Sequence, residues 1–196
     1  MIRALGLMSG TSLDGIDAAI VETDGEGVVR AGPSLSVPYK PEERKLLSMA
    51  LEAAKSWEPD EIMPEEVAEA ERHFTLANAL AVRALLADAE LKPADISVIG
   101  FHGQTVLHQP ERRRTVQIGL GDVLARLTGI DVISDFRSAD VAAGGQGAPL
   151  VPLYHQALAR SAGVKEPIAI INVGGVGNIT WVGTDGSLIA FDTGPG

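Results

Sequence analysis

Leu5-Gly6-Leu7-Met8-Ser9-Gly10-Thr11-Ser12-Leu13-Asp14-Gly15-Ile16-Asp17-Ala18-Ala19-Ile20 reads as a strand, a tight polar turn and a second strand. Gly10 and Gly15 permit positive φ and a close approach of the backbone to a ligand. Ser9, Thr11 and Ser12 add hydroxyl donors, and the N–H groups of such a turn can form an anion nest. Asp14 and Asp17 supply carboxylates able to hold a metal ion directly or through water. A loop of donors flanked by two acids suits a magnesium-bound phosphate, although an ordinary glycine-containing hairpin has the same composition. It is not a Walker loop, because no Lys follows the second Gly.

Outward from this hairpin, Val28–Val37 forms a third antiparallel strand after the turn at Asp24-Gly25. Pro41-Glu42-Glu43 opens a helix to about Ala54, with Pro at its start and acids in its first turn. Pro64-Glu65-Glu66 opens a longer helix to about Leu91, whose Val67, Ala70, Phe74, Ala77, Ala81 and Leu85 recur at helical spacing. Ile96–Phe101 is a buried strand that delivers His102-Gly103-Gln104-Thr105 at its C-terminal end, where α/β proteins place ligand groups; these four residues read either as such groups or, taken alone, as a polar strand-end turn. Val116–Gly119 is a short strand, Gly121–Thr128 a helix and Ile130–Ser134 another strand. That strand ends in Asp135-Phe136-Arg137, with Asp140 close behind, followed by a glycine-rich loop over Ala142-Ala143-Gly144-Gly145-Gln146-Gly147-Ala148-Pro149 and a helix over Leu150–Arg160. Arg137 can grip a carboxylate with two parallel hydrogen bonds, or form a local ion pair with Asp135.

At Pro167 the N-terminal pattern returns. Ile168–Val173, the turn Gly174-Gly175-Val176-Gly177-Asn178 and Ile179–Val182 form a hairpin, and Leu188–Phe191 adds a third strand ending at Asp192-Thr193-Gly194. Two such hairpins facing each other can hold a polyphosphate from both sides. The second group of strands has no helices, so we expect the sequence to be a piece of a longer two-domain protein.

The net charge of −10 argues against a nucleic-acid surface, which needs clustered Lys and Arg. The absence of Cys excludes disulfides and thiolate metal sites and fits a reducing cytoplasm. The N-terminus enters the first strand without a signal-like apolar stretch, and no apolar run is long enough to span a bilayer. The expected partners are therefore small molecules, not nucleic acid or membrane.

Read together, the stretch Met8–Asp17, His102–Thr105, Gln117-Ile118-Gly119, Asp135-Phe136-Arg137, Gly144–Pro149, Asn172–Asn178 and Phe191–Gly196 resembles the anhydro-N-acetylmuramic acid kinase family. Each motif is weak alone; in this order they span nearly the whole chain. The resemblance implies an α/β fold of the actin/hexokinase/Hsp70, ribonuclease H-like class. It implies a mixed β-sheet with flanking helices in a truncated two-domain kinase, with residues 1–165 the first domain and 166–196 the start of the second. It implies ATP and Mg²⁺ as cofactors, a cytoplasmic homodimer, and phosphorylation of 1,6-anhydro-N-acetylmuramic acid with hydrolytic ring opening in peptidoglycan recycling. The remaining half would carry most of the adenosine pocket, so this stretch alone is expected to be inactive.

By position in the family motifs, Asp192 is the expected base and Asp135 the runner-up. Gly10, Thr11, Ser12, Leu13, Asp14, Gly15, Ile16 and Asp17, with Gly174, Gly175 and Asn178, would cradle phosphates, and Asp14 and Asp17 would hold Mg²⁺. Gln104, Thr105, Asp135 and Arg137 would bind the sugar and its lactyl group. Two other classes remain open: a non-kinase ATPase or interaction module of the same superfamily, and a glycosidase using Asp135 and Asp192 as its carboxylate pair.

Overall fold

The computed structural model describes residues 1–58, 61–174 and 176–195. Strands β1 (Ile2–Met8), β2 (Gly15–Thr23) and β3 (Val29–Pro38) form an antiparallel meander. Helices α1 (Pro41–Ala54) and α2 (Glu65–Asp88) follow, then β4 (Val98–Phe101), which returns parallel to β1. A separate hairpin of β5 (Gln104–Gln109) and β6 (Arg114–Ile118) leads into α3 (Gly121–Thr128). β7 (Val132–Ser134) joins the first sheet parallel to β4, giving the order β3-β2-β1-β4-β7. This mixed sheet, antiparallel on one side of β1 and parallel on the other, with helices packed on it, is the mixed β-sheet with flanking helices that the family resemblance implies. After α4 (Ser138–Ala143) and α5 (Pro152–Ser161), β8 (Ile168–Asn172), β9 (Val176–Val182) and β10 (Leu188–Pro195) form a second, antiparallel sheet.

The register explains where the core sits. Leu5 pairs with Ile20 and Ile99, and Leu7 with Ala18 and Phe101, so these apolar side chains share one face of the sheet. Helices α1 and α2 cover that face through Leu47, Ala50, Val67, Ala70, Phe74 and Leu85, all buried. Full burial of each large side chain is worth roughly 1.5–3 kcal/mol. The opposite face, with Met8, Asp17, Ala19 and Ile133, is exposed among the described residues. Helix α1 starts as expected, its Glu43 carboxylate accepting the Lys40 N–H (2.8 Å).

Four expectations are corrected. Helix α2 ends at Asp88 and not near Leu91, because Glu90 turns left-handed (φ 53°) and the Leu91 N–H bonds back to the Leu86 carbonyl (2.8 Å). Residues 104–109 are a strand, not a strand-end turn; they pair with Arg114–Ile118 around the left-handed Arg113 (φ 55°). Helix α4 occupies part of the expected glycine-rich loop and stops at Gly144 (φ 97°). Asp192 lies within β10, at a bulge before Gly194, and not at the strand's end.

The Gln117-Ile118-Gly119 motif proves to be a packing seam. A Cβ at Gly119 would stand 2.6 Å from the Phe101 ring, which itself stacks on Phe74. The Gly119 and Leu120 N–H groups donate to Glu71 Oε1 and Thr75 Oγ1, both at 3.0 Å, tying this loop to α2.

Candidate active site

The turn between β1 and β2 is held from behind. The Ser9 hydroxyl donates to Gln104 Oε1 (2.6 Å), so the neighbouring Tyr39 hydroxyl (2.8 Å) donates to Ser9 Oγ. Gln104 Nε2 donates to the Gly10 and Thr105 carbonyls, each at 3.4 Å. Burial pushes the Tyr39 hydroxyl up to about 12, with the Ser9 bond opposing and Glu43 adding to the rise, so Tyr39 is a neutral donor. From α1, Arg44 donates to the Ser12 carbonyl (3.3 Å). Leu13, in left-handed backbone (φ 55°), and Ile16 insert their side chains into the core.

This fixed turn forms one wall of a cavity of about 830 Å³. Met8, Ser9, Gly10, Thr11, Ser12, Asp14, Gly15 and Asp17 line that wall. Facing it are His102, Thr105 and His108, then Arg137, then the segment Ala148–Val151 and His155 of α5. The second sheet closes the cavity with Asn172, Gly174, Val176, Asn178 and Asp192. Asp192 pairs with Asn178 across β10 and β9, and the Asn178 Oδ1 is buried without a hydrogen-bond partner among the described residues. The Asp17 carboxylate accepts the Ser36 hydroxyl (2.5 Å).

Arg137 supplies the positive charge. Its Nη1 donates to the Gly147 carbonyl and its Nη2 to His102 Nε2 (2.7 Å). A guanidinium has five N–H donors, so others remain for a ligand. Burial pushes Arg137 below its ordinary value, and the charge of Asp192 opposes that shift. Burial, then Arg137, holds His102 and His108 below the ordinary histidine value; burial alone does so for His155. The cavity thus combines a cation, neutral imidazoles, a donor-rich turn and three carboxylates, a set suited to anionic ligands and proton transfer.

A sequence profile of the family described as "Anhydro-N-acetylmuramic acid kinase" matches residues 2–196. The chain belongs to the anhydro-N-acetylmuramic acid kinase family. It is 56% identical over 196 residues to the enzyme of that name from Bradyrhizobium diazoefficiens, covering 100% of this chain and 53% of the relative. It is 58% identical over 193 residues to the one from Paramagnetospirillum magneticum, covering 98% and 51%. The chain therefore spans about half the length of the curated relatives it matches. Among solved structures, a reductive activator for corrinoid,iron-sulfur protein superposes with a TM-score of 0.50 at 13% identity, covering 99% of this chain and 31% of that one, a likeness of fold.

Within this kinase-family chain, the expected site residues divide. Thr105, Arg137, Asp192, Asn178, Gly174 and Gly10, Thr11, Ser12, Asp14, Gly15 and Asp17 all line the cavity. Gly175 lies outside the described residues. Gln104 is corrected: its side chain is 0% exposed and serves the turn from behind. Leu13 and Ile16 are likewise core anchors, with no side chain at the cavity. Asp135 is exposed in left-handed backbone (φ 57°), is not among the cavity-lining residues, and makes no ion pair with Arg137. Gly10 and Gly15 do not take positive φ; Gly15 is required because a Cβ there would meet the Val37 carbonyl oxygen at 2.4 Å.

Sequence reading missed His108 and His155. In a regular strand, Thr105 and His108 would point to opposite faces. A register shift between Thr105 and Leu107 brings both to the cavity, and a bulge leaves no plain mark in sequence. His155 is hydrogen-bonded with Thr180 Oγ1 (2.9 Å), a contact between α5 and β9 set by tertiary packing.

Proposed function

We propose that this chain provides the substrate cleft of an ATP-dependent kinase that phosphorylates 1,6-anhydro-N-acetylmuramic acid. The anhydro ring opens in the same reaction, giving N-acetylmuramic acid 6-phosphate for peptidoglycan recycling. The observation that carries this reading is that both glycine-bearing hairpin tips, Arg137 and Asp192 line one cavity. Water attacks the anomeric carbon and yields a proton to Asp192; the C1–O6 bond breaks; O6 takes the γ-phosphoryl group of ATP, and ADP leaves. Asp192 favours this role over Asp135, which is absent from the cavity lining. Arg137 faces the lactyl carboxylate and Thr105 the sugar. The β1–β2 turn, with Gly174 and Asn178 opposite, receives the phosphates, whose transfer needs positioning and charge stabilisation more than covalent help.

Asp14 and Asp17 fit a magnesium site. Both line the cavity, and no cluster of three acidic or histidine ligands exists among the described residues. Mg²⁺ is commonly held by one or two carboxylates plus phosphate and water. Bound there, it would neutralise phosphate charge. We further propose that residues 1–165 and 166–196 belong to two domains that meet at the cavity. The separate five- and three-stranded sheets support that division. The family resemblance supports a cytoplasmic homodimer; no helix among the described residues is long and apolar enough to cross a membrane.

The test uses full-length protein with anhydro sugar, with and without ATP, and mass spectrometry of the product. The expected product is heavier by one phosphoryl group and one water, and forms only with ATP. Sugar-independent ATP hydrolysis alone, or ring opening without ATP, would overturn the reading.

A further inference from the structure

Arg137 is gripped by the protein before any ligand arrives, and the grip dictates the state of His102. The His102 Nδ1 lies 2.7 Å from the Gly103 carbonyl oxygen, which can only accept, so Nδ1 carries the proton. At the other side of the ring, Nε2 lies 2.7 Å from Arg137 Nη2, which can only donate, so Nε2 must offer a lone pair. Two independent contacts therefore select one of the three protonation states: neutral imidazole with the proton on Nδ1. The second arm of Arg137 reaches the Gly147 carbonyl, and the Gly147 N–H is held by Asp140 Oδ2 of α4 (2.7 Å). Gly147 has no room for a side chain, since a Cβ would stand 2.6 Å from Val141 Cγ2. His102 thus anchors the guanidinium to the end of β4, while α4 and its loop hold the other side.

We propose that neutral His102 is a positioning residue that fixes Arg137 for an anionic group of the substrate, and that protonating His102 releases the guanidinium and weakens sugar binding. This rests on the assignment of Arg137 to the lactyl carboxylate. A proton on Nε2 replaces an acceptor with a donor and sets two cations face to face. The charged and titratable groups around the pair are His108 from β5, on which the Arg137 charge acts, Asp192 from β10, whose charge acts on Arg137, and Asp140 from α4 through Gly147. Burial and the Arg137 charge keep His102 neutral above its ordinary 6.5, so the change falls below that pH.

The test follows KM for anhydro sugar, KM for ATP and kcat between pH 8 and 5 in full-length wild type, His102→Gln and His102→Ala. Glutamine offers a non-titrating oxygen near the place of Nε2. In wild type, KM for the sugar is expected to rise about 10-fold as pH falls below 6.5, while kcat and KM for ATP change far less. His102→Gln should flatten that rise, and His102→Ala should show the high KM at every pH. A substrate analogue lacking the lactyl carboxylate should show no such rise. Nitrogen NMR of wild-type His102 at pH 8 reports the tautomer independently of turnover. A proton on Nε2 there, or an equal KM rise in His102→Gln, would overturn the proposal. If the wild type turned over no sugar, the kinase reading would fall while the NMR spectrum still decided the state of His102.

Discussion

The β1–β2 hairpin and the β8–β9 hairpin end at the same cavity, but they are backed very differently. Leu5, Leu7, Ile16 and Ala18 of the first are buried beneath α1 and α2, and the Gln104–Ser9–Tyr39 network braces its turn. In this chain, about half the length of its relatives, Ile171 of the second sheet is 68% exposed and Phe191 52%, Val173 after β8 is 74% exposed, and the Asn178 Oδ1 has no partner among the described residues. The comparison teaches that glycine and hydroxyl residues make a turn permissive, while buried polar contacts behind it make it a fixed receptor. The first hairpin is braced from behind within this chain; the second carries the proposed base in a sheet that this chain, about half the length of its relatives, covers on one side with α5.

The strongest challenge to this contrast is Asp192→Asn, which keeps size and hydrogen bonding but cannot take a proton. Turnover should fall by roughly 10²-fold or more with sugar affinity nearly intact, whereas Asp135→Asn should turn over normally. Steady-state kinetics with separate binding measurements checks both. A dead Asp135→Asn beside a normal Asp192→Asn would move the chemistry off the second hairpin.

Chemical denaturation then compares the backing of the two turns. Gln104→Ala should cost about 1–3 kcal/mol, because it strands buried donors and acceptors at Ser9 and Gly10. It should also raise KM for ATP. Asn178→Ala should stay within about 0.5 kcal/mol, since its Oδ1 has no partner to lose among the described residues. Equal losses would erase the distinction.

Within the first hairpin, the two glycines should separate. Gly15→Ala drives a Cβ against the Val37 carbonyl and should destabilise by about 1–3 kcal/mol. Gly10→Ala has room, its nearest neighbour being Ser12 Oγ at 3.5 Å, and should fold within about 1 kcal/mol of wild type while weakening ATP use.

The smallest effect concerns Tyr39. Its pKa is raised on folding from 10.0 to about 12, so its contribution is complete below pH 10 and is lost as pH climbs towards 12. The tyrosinate absorbance that Tyr39→Phe removes should titrate near that upper value. Tyr39→Phe should remove this part of the alkaline stability loss. Ionisation of Tyr39 at its ordinary value would mean that the brace behind the first turn is open to water.

Much of the architecture was legible because it rests on local chemistry. Pro41 with Glu42 and Glu43, the helical spacing of Val67 to Leu85, and the apolar strands around Met8 and Phe101 each announce their element. The family motifs also brought Arg137 and Asp192 into view, because turn-forming and charged residues cluster visibly in sequence. Side-chain direction was not legible. Gln104 and Thr105 are neighbours with the same apparent role, yet strand alternation buries one behind the turn and presents the other to the cavity. Asp135 and Arg137 flank one phenylalanine, yet the left-handed backbone at Asp135 and the start of α4 at Arg137 send only the arginine to the cavity. Sequence by itself determined the order of elements and the chemical stock of the site, because both depend on short-range spacing. Which of those side chains meet at one cavity was decided only by tertiary structure, because register, bulges and the partners across a sheet arise between segments far apart in the chain.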